Sequence, residues 1–295
     1  MKRKIYIRLI GGLGNQLFQY SCAKNLSIEL SGDLIIDDKS GFFFDRTFKR
    51  NKSLPKNISF LKIKFFDLIY FNFLILIKKL IFRKKVFFNI GSTVLIDESR
   101  CKEIINDLPN KIEKYDKIFL LGFFQCENYF LKNKQIIIKE ILNNKIENPI
   151  LLNIKKQITK ESLLIGIRMF EEAPLSIRKN FGGIEDFSFY NNSIKFFETF
   201  NNLKIFALTT FKNTLKIKKK INKDIEVIGE GYDMNGTDLE FILLMSNFEN
   251  FIISNSTFYW WGTYLAEYKK KIKVISSTKF SNKHTIPDRW KNLKS

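Results

Sequence analysis

The stretch Lys4–Leu30, "KIYIRLIGGLGNQLFQYSCAKNLSIEL", decides how the chain is to be read. "KIYIRLI" is a short apolar run rich in β-branched residues, as a buried strand requires. Gly11, Gly12 and Gly14 follow, where backbone must turn sharply or approach another group closely. Phe18, Cys22 and Leu26 then recur at four-residue steps beside Ala23, which predicts a helix with a packed face. "DLIIDD" (33–38) is a second strand, so the chain opens on a strand–turn–helix–strand unit. A dinucleotide fingerprint would need a third glycine, where Leu17 stands. Asp37 lies near the spacing of a ribose-binding acid.

The same alternation recurs further along. "KIFLLGFFQCENYF" (117–130) gives a strand, a turn and the approach to a helix ending near Leu142. "NNKIENPI" is polar and carries a proline, which places a domain boundary near 145–155 and divides the chain into residues 1–150 and 151–295. Apolar runs alternating with amphipathic segments continue from "SLLIGIRMF" to "KIKVISS". The pattern implies α/β architecture with parallel sheets covered by helices, twice over. A chain of 295 residues has room for two such domains.

Composition narrows the function. Lys and Arg number 50 against 30 Asp and Glu, a formal charge of +20, which suits an anionic partner (nucleic acid, a membrane face or a phosphorylated substrate) and is equally the mark of a genomic base bias. The aromatic residues sit mostly in apolar runs and not on a basic platform, which argues against nucleic acid. The three cysteines are widely spaced, fitting neither a disulfide framework nor a zinc pattern. A single histidine, His284, leaves no material for a multi-histidine metal site or a His-based triad. Arg8 cuts the first apolar run too short for a signal peptide, so a cytoplasmic location is expected.

Residues 60–88, "FLKIKFFDLIYFNFLILIKKLIFRKKVFF", differ in texture. The most apolar part is too short to span a bilayer. Flanking Lys78, Lys79, Arg83, Lys84 and Lys85 suit a helix lying on an anionic membrane surface. A buried helix pair with a solvated basic rim accounts for the same residues.

Two further strings carry chemistry. In "FIISNSTFYWWGTYLAE" (251–267) a short strand meets a helix at Asn255, Ser256 and Thr257. These are good N-cap residues, and the amides they flank make either a plain cap or an anion cradle. In "IGIRMFEEAP" (165–174) Arg168 leaves a strand end, followed by Glu171 and Glu172. A guanidinium there can grip phosphate through two parallel hydrogen bonds, and a carboxylate can take a proton from an attacking hydroxyl. A surface ion pair with neighbouring cations is the plainer reading of that short string.

"IRLIGGLGNQLFQYSCAKNLS", "LLGFFQCENYF", "DLEFILLMSNFENFIISNSTFYWWGTYLAE" and the closing "IPDRW" together resemble bacterial glycosyltransferase family 11, the α-1,2-fucosyltransferases that use GDP-linked sugars. The resemblance implies a GT-B fold, two Rossmann-like domains with parallel sheets facing across a cleft, the nucleotide held mainly by the C-terminal one. It implies inversion at the sugar carbon with a GDP-sugar as co-substrate, a glycan acceptor, and no metal or other cofactor. Carried onto this sequence, the donor contacts would be Arg168, Asn255, Ser256, Thr257, Thr209 and Asp238 (or Glu240). Gly12, Asn15 and Gln16 would line the opposite wall. Glu171, with Glu172 in reserve, would be the base. The family's arginine motif usually reads H-x-R-R-x-D, whereas this chain has Gly166, Ile167, Arg168, Met169, Phe170 and Glu171. Losing a guanidinium beside a diphosphate costs about 1.5–3 kcal/mol of charge-assisted bonding. The family's serine–aspartate pair after the next strand is replaced by Thr209 and Thr210. The donor is therefore expected to be GDP-fucose, or a related sugar such as GDP-colitose, with a weakly active GDP-binding module as the remaining alternative.

Overall fold

The computed structural model describes residues 2–43, 45–100, 103–170, 173–178, 183–209, 214–228 and 238–293. The chain divides into two compact units, Met1–Ile141 and Leu142–Ser295, each built on its own six-stranded sheet.

The first unit runs β1 (Lys4–Arg8), α1 (Leu13–Glu29), β2 (Asp33–Asp37), β3 (Leu61–Lys62), α2 (Phe65–Ile81), β4 (Phe87–Ile90), β5 (Thr93–Asp97), α3 (Leu108–Ile112), β6 (Lys117–Leu121) and α4 (Lys134–Leu142). The strand order is β3-β2-β1-β6-β5-β4. All neighbours pair in parallel except the β4–β5 hairpin. The chain thus winds outward from β1 to β3, then returns from the far edge inward. β1 and β6 lie side by side where the winding reverses. α1 is buried on nearly every side, so its polar residues need internal partners. Gln19 supplies two, accepting from the Ile10 N–H (3.0 Å) and donating to the Gly122 carbonyl (3.0 Å).

Residues 60–88 form the short strand β3, one helix and the start of β4, not a buried helix pair. α2 packs Phe71, Leu74 and Ile75 against Tyr6, Leu95 and Phe119 of the sheet. Its buried Lys78 is ion-paired with Asp97. The opposite face of α2 is apolar and exposed.

The second unit runs α5 (Pro149–Gln157), β7 (Ser162–Ile167), α6 (Leu175–Arg178), α7 (Phe187–Ile194), β8 (Lys204–Thr209), α8 (Thr214–Lys220), β9 (Glu226–Val227), α9 (Asp238–Met245), β10 (Asn250–Ile253), α10 (Thr257–Lys269), β11 (Lys273–Ser277) and β12 (Lys291–Leu293). The order β12-β11-β10-β7-β8-β9 is parallel throughout. Read from the other edge it is third-second-first-fourth-fifth-sixth, the doubly wound order of a dinucleotide-binding sheet. This unit begins at Leu142, ahead of the proline at 149, because α5 belongs to it. The N–H groups of Glu147 and Asn148 donate to Glu240 of α9 (2.9 and 2.8 Å). Among the described residues no helix is long and apolar enough to cross a membrane.

Candidate functional site

In a doubly wound sheet, ligands bind beyond the carboxyl ends of the strands where the winding reverses, because the two flanking loops there diverge and leave a crevice. In the second unit that point lies between β7 and β10. The residue after β7 is Arg168, and the residues after β10 are Ser254 to Thr257. The two strings that the sequence marks for diphosphate chemistry, 86 residues apart from Arg168 to Ser254, therefore leave adjacent strands.

The arrangement is tied at several points. Ser254 donates its N–H to the Gly166 carbonyl (3.1 Å), and its Oγ accepts the Arg168 N–H (3.1 Å). Arg168 is 8% exposed, with its guanidinium carbon 4.6 Å from the centre of the Phe170 ring. The Tyr259 hydroxyl lies 2.9 Å from both the Ile167 and Leu208 carbonyls, joining the ends of β7 and β8. Thr209 is the last residue of β8, in register with Ile167. A Cβ at Gly166 would stand 2.5 Å from Tyr259 Cγ. The Tyr259 ring thus occupies the volume that a histidine at 166, usual in the family's arginine motif, would need. Beneath these strand ends, burial pushes the phenol of Tyr190 well above its ordinary range, so it stays a neutral hydroxyl.

α10 starts at Thr257, and the N-cap residue Ser256 makes no side-chain capping bond. Its hydroxyl is not committed to the first-turn amides, which face the point of reversal. Aligned peptide dipoles add positive potential there. The helix is fixed from below. Trp260 is fully buried, donates to the Thr285 carbonyl (2.8 Å), and stacks on Tyr264 with centroids 4.4 Å apart.

Several expected contacts have other work. Asn255 spends both amide hydrogens on the Gly183 and Lys279 carbonyls (3.0 and 3.2 Å), clasping two loops together. Glu240 is taken by the amides ahead of α5. Asp238 heads α9, where burial raises its carboxyl above the ordinary value. Glu171, Glu172 and Thr210 lie outside the described residues. The sequence gives no hint of Glu185, which is 1% exposed, accepts from the Ser277 hydroxyl, and pairs with Lys279 (3.1 Å). Lys279 is the cation beside the Asn255 knot, and Glu185 already balances its charge.

The first unit carries its own turn at the corresponding reversal, between β1 and β6. Gly11 adopts φ +78°, and a Cβ there would meet Asn15 Nδ2 at 2.4 Å, so only glycine fits. Gly12 is the N-cap of α1, with the Arg50 side chain alongside. Asn15 accepts from Gln125 Nε2 (2.9 Å). Gln16 does not line a wall. It is fully buried, donates to the Gly11 and Asn51 carbonyls (2.9 and 2.8 Å) and accepts from the Ser53 N–H (2.8 Å). Asp37 is no ribose acid either, since its buried carboxylate pairs with Arg8 (2.7 Å) and accepts from Ser40.

Among the described residues no cluster of three or more His, Cys, Asp or Glu is arranged to hold a metal ion. The open groove of about 570 Å³ lined by Ile150, Asn153, Gln157, Lys204 and Glu226 lies at the amino ends of β8 and β9, away from Arg168.

The model of Glycosyl transferase family 11 matches residues 93–292. The chain belongs to glycosyl transferase family 11. The match begins at β5, so the glycine turn and α2 precede it. Relatives nevertheless extend over nearly all of the family 11 chain. An alpha-1,2-colitosyltransferase of Escherichia coli is 27% identical across 97% of this chain and 97% of its own length. The O-antigen biosynthesis glycosyltransferase WbnK of E. coli is 26% identical across 98% and 100%. Among solved structures, a mutant of Arabidopsis thaliana FUT1 in complex with GDP superposes with a TM-score of 0.52 at 12% identity, covering 93% of this chain and 70% of that one. The fucosyltransferase NodZ from Bradyrhizobium gives 0.51 at 13%, covering 90% and 94%. At such identities the two structures establish the shared GT-B-like fold, and the glycosyltransferase activity rests on the family.

Proposed function

We propose that this family 11 enzyme is an inverting transferase that moves L-fucose, or a related 6-deoxyhexose, from its GDP ester to a galactoside hydroxyl of a surface glycan. The observation that carries the reading is the convergence of Arg168 and the amino end of α10 on the reversal between β7 and β10. As the bond from sugar to β-phosphate breaks, negative charge gathers on the leaving diphosphate and needs fixed positive groups aimed at it. Arg168 supplies a guanidinium, and Ser256 and Thr257 supply hydroxyls and helix amides. Thr209 and Asp238 complete the proposed donor contacts. Glu171, with Glu172 in reserve, would take the acceptor proton as its oxygen attacks the anomeric carbon in line. No divalent cation is assigned a part, the counter-charge being guanidinium and helix dipole.

Colitose is the donor sugar that the altered arginine motif and the colitosyltransferase relative favour as a second reading. A panel of GDP-, UDP- and dTDP-sugars with a β-galactoside separates the two, read as nucleotide release and product mass. Transfer from GDP-fucose supports the first reading, and transfer from GDP-colitose alone supports the second. A UDP- or dTDP-sugar as sole donor, or turnover abolished by a chelator, overturns both.

A further inference from the structure

α2 presents to solvent a stripe of large apolar side chains, Phe65, Phe66, Ile69, Phe73, Leu76 and Leu80, at steps of three and four residues. Phe66 is 81% exposed and Leu80 65%. Single exposed apolar residues are ordinary, but a continuous stripe over about four turns marks a surface that is covered in use. The opposite face of the helix is packed on the sheet through Phe71, Leu74 and Ile75, so the stripe cannot turn inward.

The charges around it select the cover. Exposed Lys62 and Lys64 precede the helix, exposed Lys79 stands in its last turn, and exposed Arg83, Lys84 and Lys85 follow it. The only acid between Leu61 and Ser92 is Asp67, which is paired with Lys117 (3.4 Å). A second copy of this chain packed helix to helix would set cations against cations at both ends, in either direction. An anionic bilayer offers the complement on both counts, hydrocarbon for the stripe and headgroup phosphates for the rim. With 17 residues α2 is not long enough to span.

We infer that the outer face of α2 lies in the interface of an anionic phospholipid membrane, holding the enzyme at a lipid surface. Full-length protein is floated with vesicles of phosphatidylcholine alone and of phosphatidylcholine with roughly one third phosphatidylglycerol, at low and high salt. Flotation is expected only with the anionic vesicles, and weaker at high salt. Replacing Arg83, Lys84 and Lys85 by glutamine should weaken binding by on the order of a hundredfold, at about fivefold per cation. The double variant Phe66→Ser/Phe73→Ser should lower the bound fraction tenfold or more while the far-UV spectrum stays unchanged. Wild-type protein left in the soluble fraction with both vesicle types overturns the inference. So does flotation indifferent to the double variant, which would make the attraction merely electrostatic. A dimer in light scattering that the same double variant dissolves assigns the face to a second copy and overturns it too.

Discussion

Gly166→Ala tests how the site of the second unit is assembled. Residue 166 sits in ordinary strand backbone, so space alone decides the outcome. The added methyl would stand 2.5 Å from Tyr259 Cγ and 2.7 and 2.9 Å from the two Cδ atoms. Carbon atoms rest at about 3.5–4.0 Å, so the ring must withdraw by on the order of 1 Å. It is not free to do so, because it is buried and its hydroxyl holds the ends of β7 and β8. Overpacking of this kind costs about 1–3 kcal/mol, and weakening one buried hydroxyl bond adds about 1 kcal/mol. Trp260, Trp261 and Trp290 are the only tryptophans and all lie in the second unit, so their fluorescence during urea unfolding reads that unit alone. For a total of about 2–4 kcal/mol and a slope of about 2 kcal/mol/M, the midpoint falls by about 1–2 M. In a Tyr259→Ala background the methyl enters vacated space and should cost less than about 0.5 kcal/mol. An equal loss in both backgrounds would refute the steric argument, and with it the account of why glycine replaces histidine here.

Arg168→Ala should weaken GDP binding tenfold or more in calorimetry, the worth of one charged hydrogen bond, and unchanged affinity removes Arg168 from the diphosphate. Lys78→Met leaves the buried Asp97 carboxylate without its cation and should cost about 3–5 kcal/mol in thermal unfolding followed by circular dichroism. Lys78→Met/Asp97→Leu should recover most of that loss, and failure to do so would mean that the pair is worth more than its packing. Burial raises the Glu98 carboxyl above its ordinary value, against the Phe124 and Phe123 amides that lower it. A raised acid contributes stability that is present below the unfolded pKa and lost as pH rises through the folded one. Glu98→Gln should therefore gain stability over wild type at neutral pH and nothing near pH 3, where Glu98 is protonated in both the folded and the unfolded chain; an equal effect at both pH values contradicts it.

The elements that position the site were legible because each announces itself locally. "KIYIR" ends at a glycine turn, and "NFII" ends at a polar knot that opens a helix, so β1, α1, β10 and α10 stand where apolar period and capping residues put them. The β4–β5 hairpin escaped because "FFNI" continues the apolar texture of the helix before it. Individual roles were harder to read wherever a side chain bonds to distant backbone. Gln16 answers to Asn51 and Ser53, and Asn255 to Gly183 and Lys279, and a carbonyl leaves no mark of residue type in the sequence. Asp37 looks like a ligand on spacing, and Glu240 by the family resemblance, because an acid that neutralises Arg8 or accepts from the amides ahead of α5 has the same letter as one that meets a ribose. The outer face of α2 could not be told from a core face, since composition is the same and only the packing of its far side separates them.

Arg8 pairs with Asp37, donates to Asn72 of α2 (2.8 Å) and lies 4.5 Å over the Phe71 ring. Three residues on, the chain enters the turn at Gly11. One guanidinium therefore rivets the helix to the strand that carries the turn, and the two move as a single rigid piece. Whatever plane α2 rests upon, the altitude of that turn above it is set by the bond from Arg8 to Asn72 and by the packing of Phe71, Leu74 and Ile75 on the sheet.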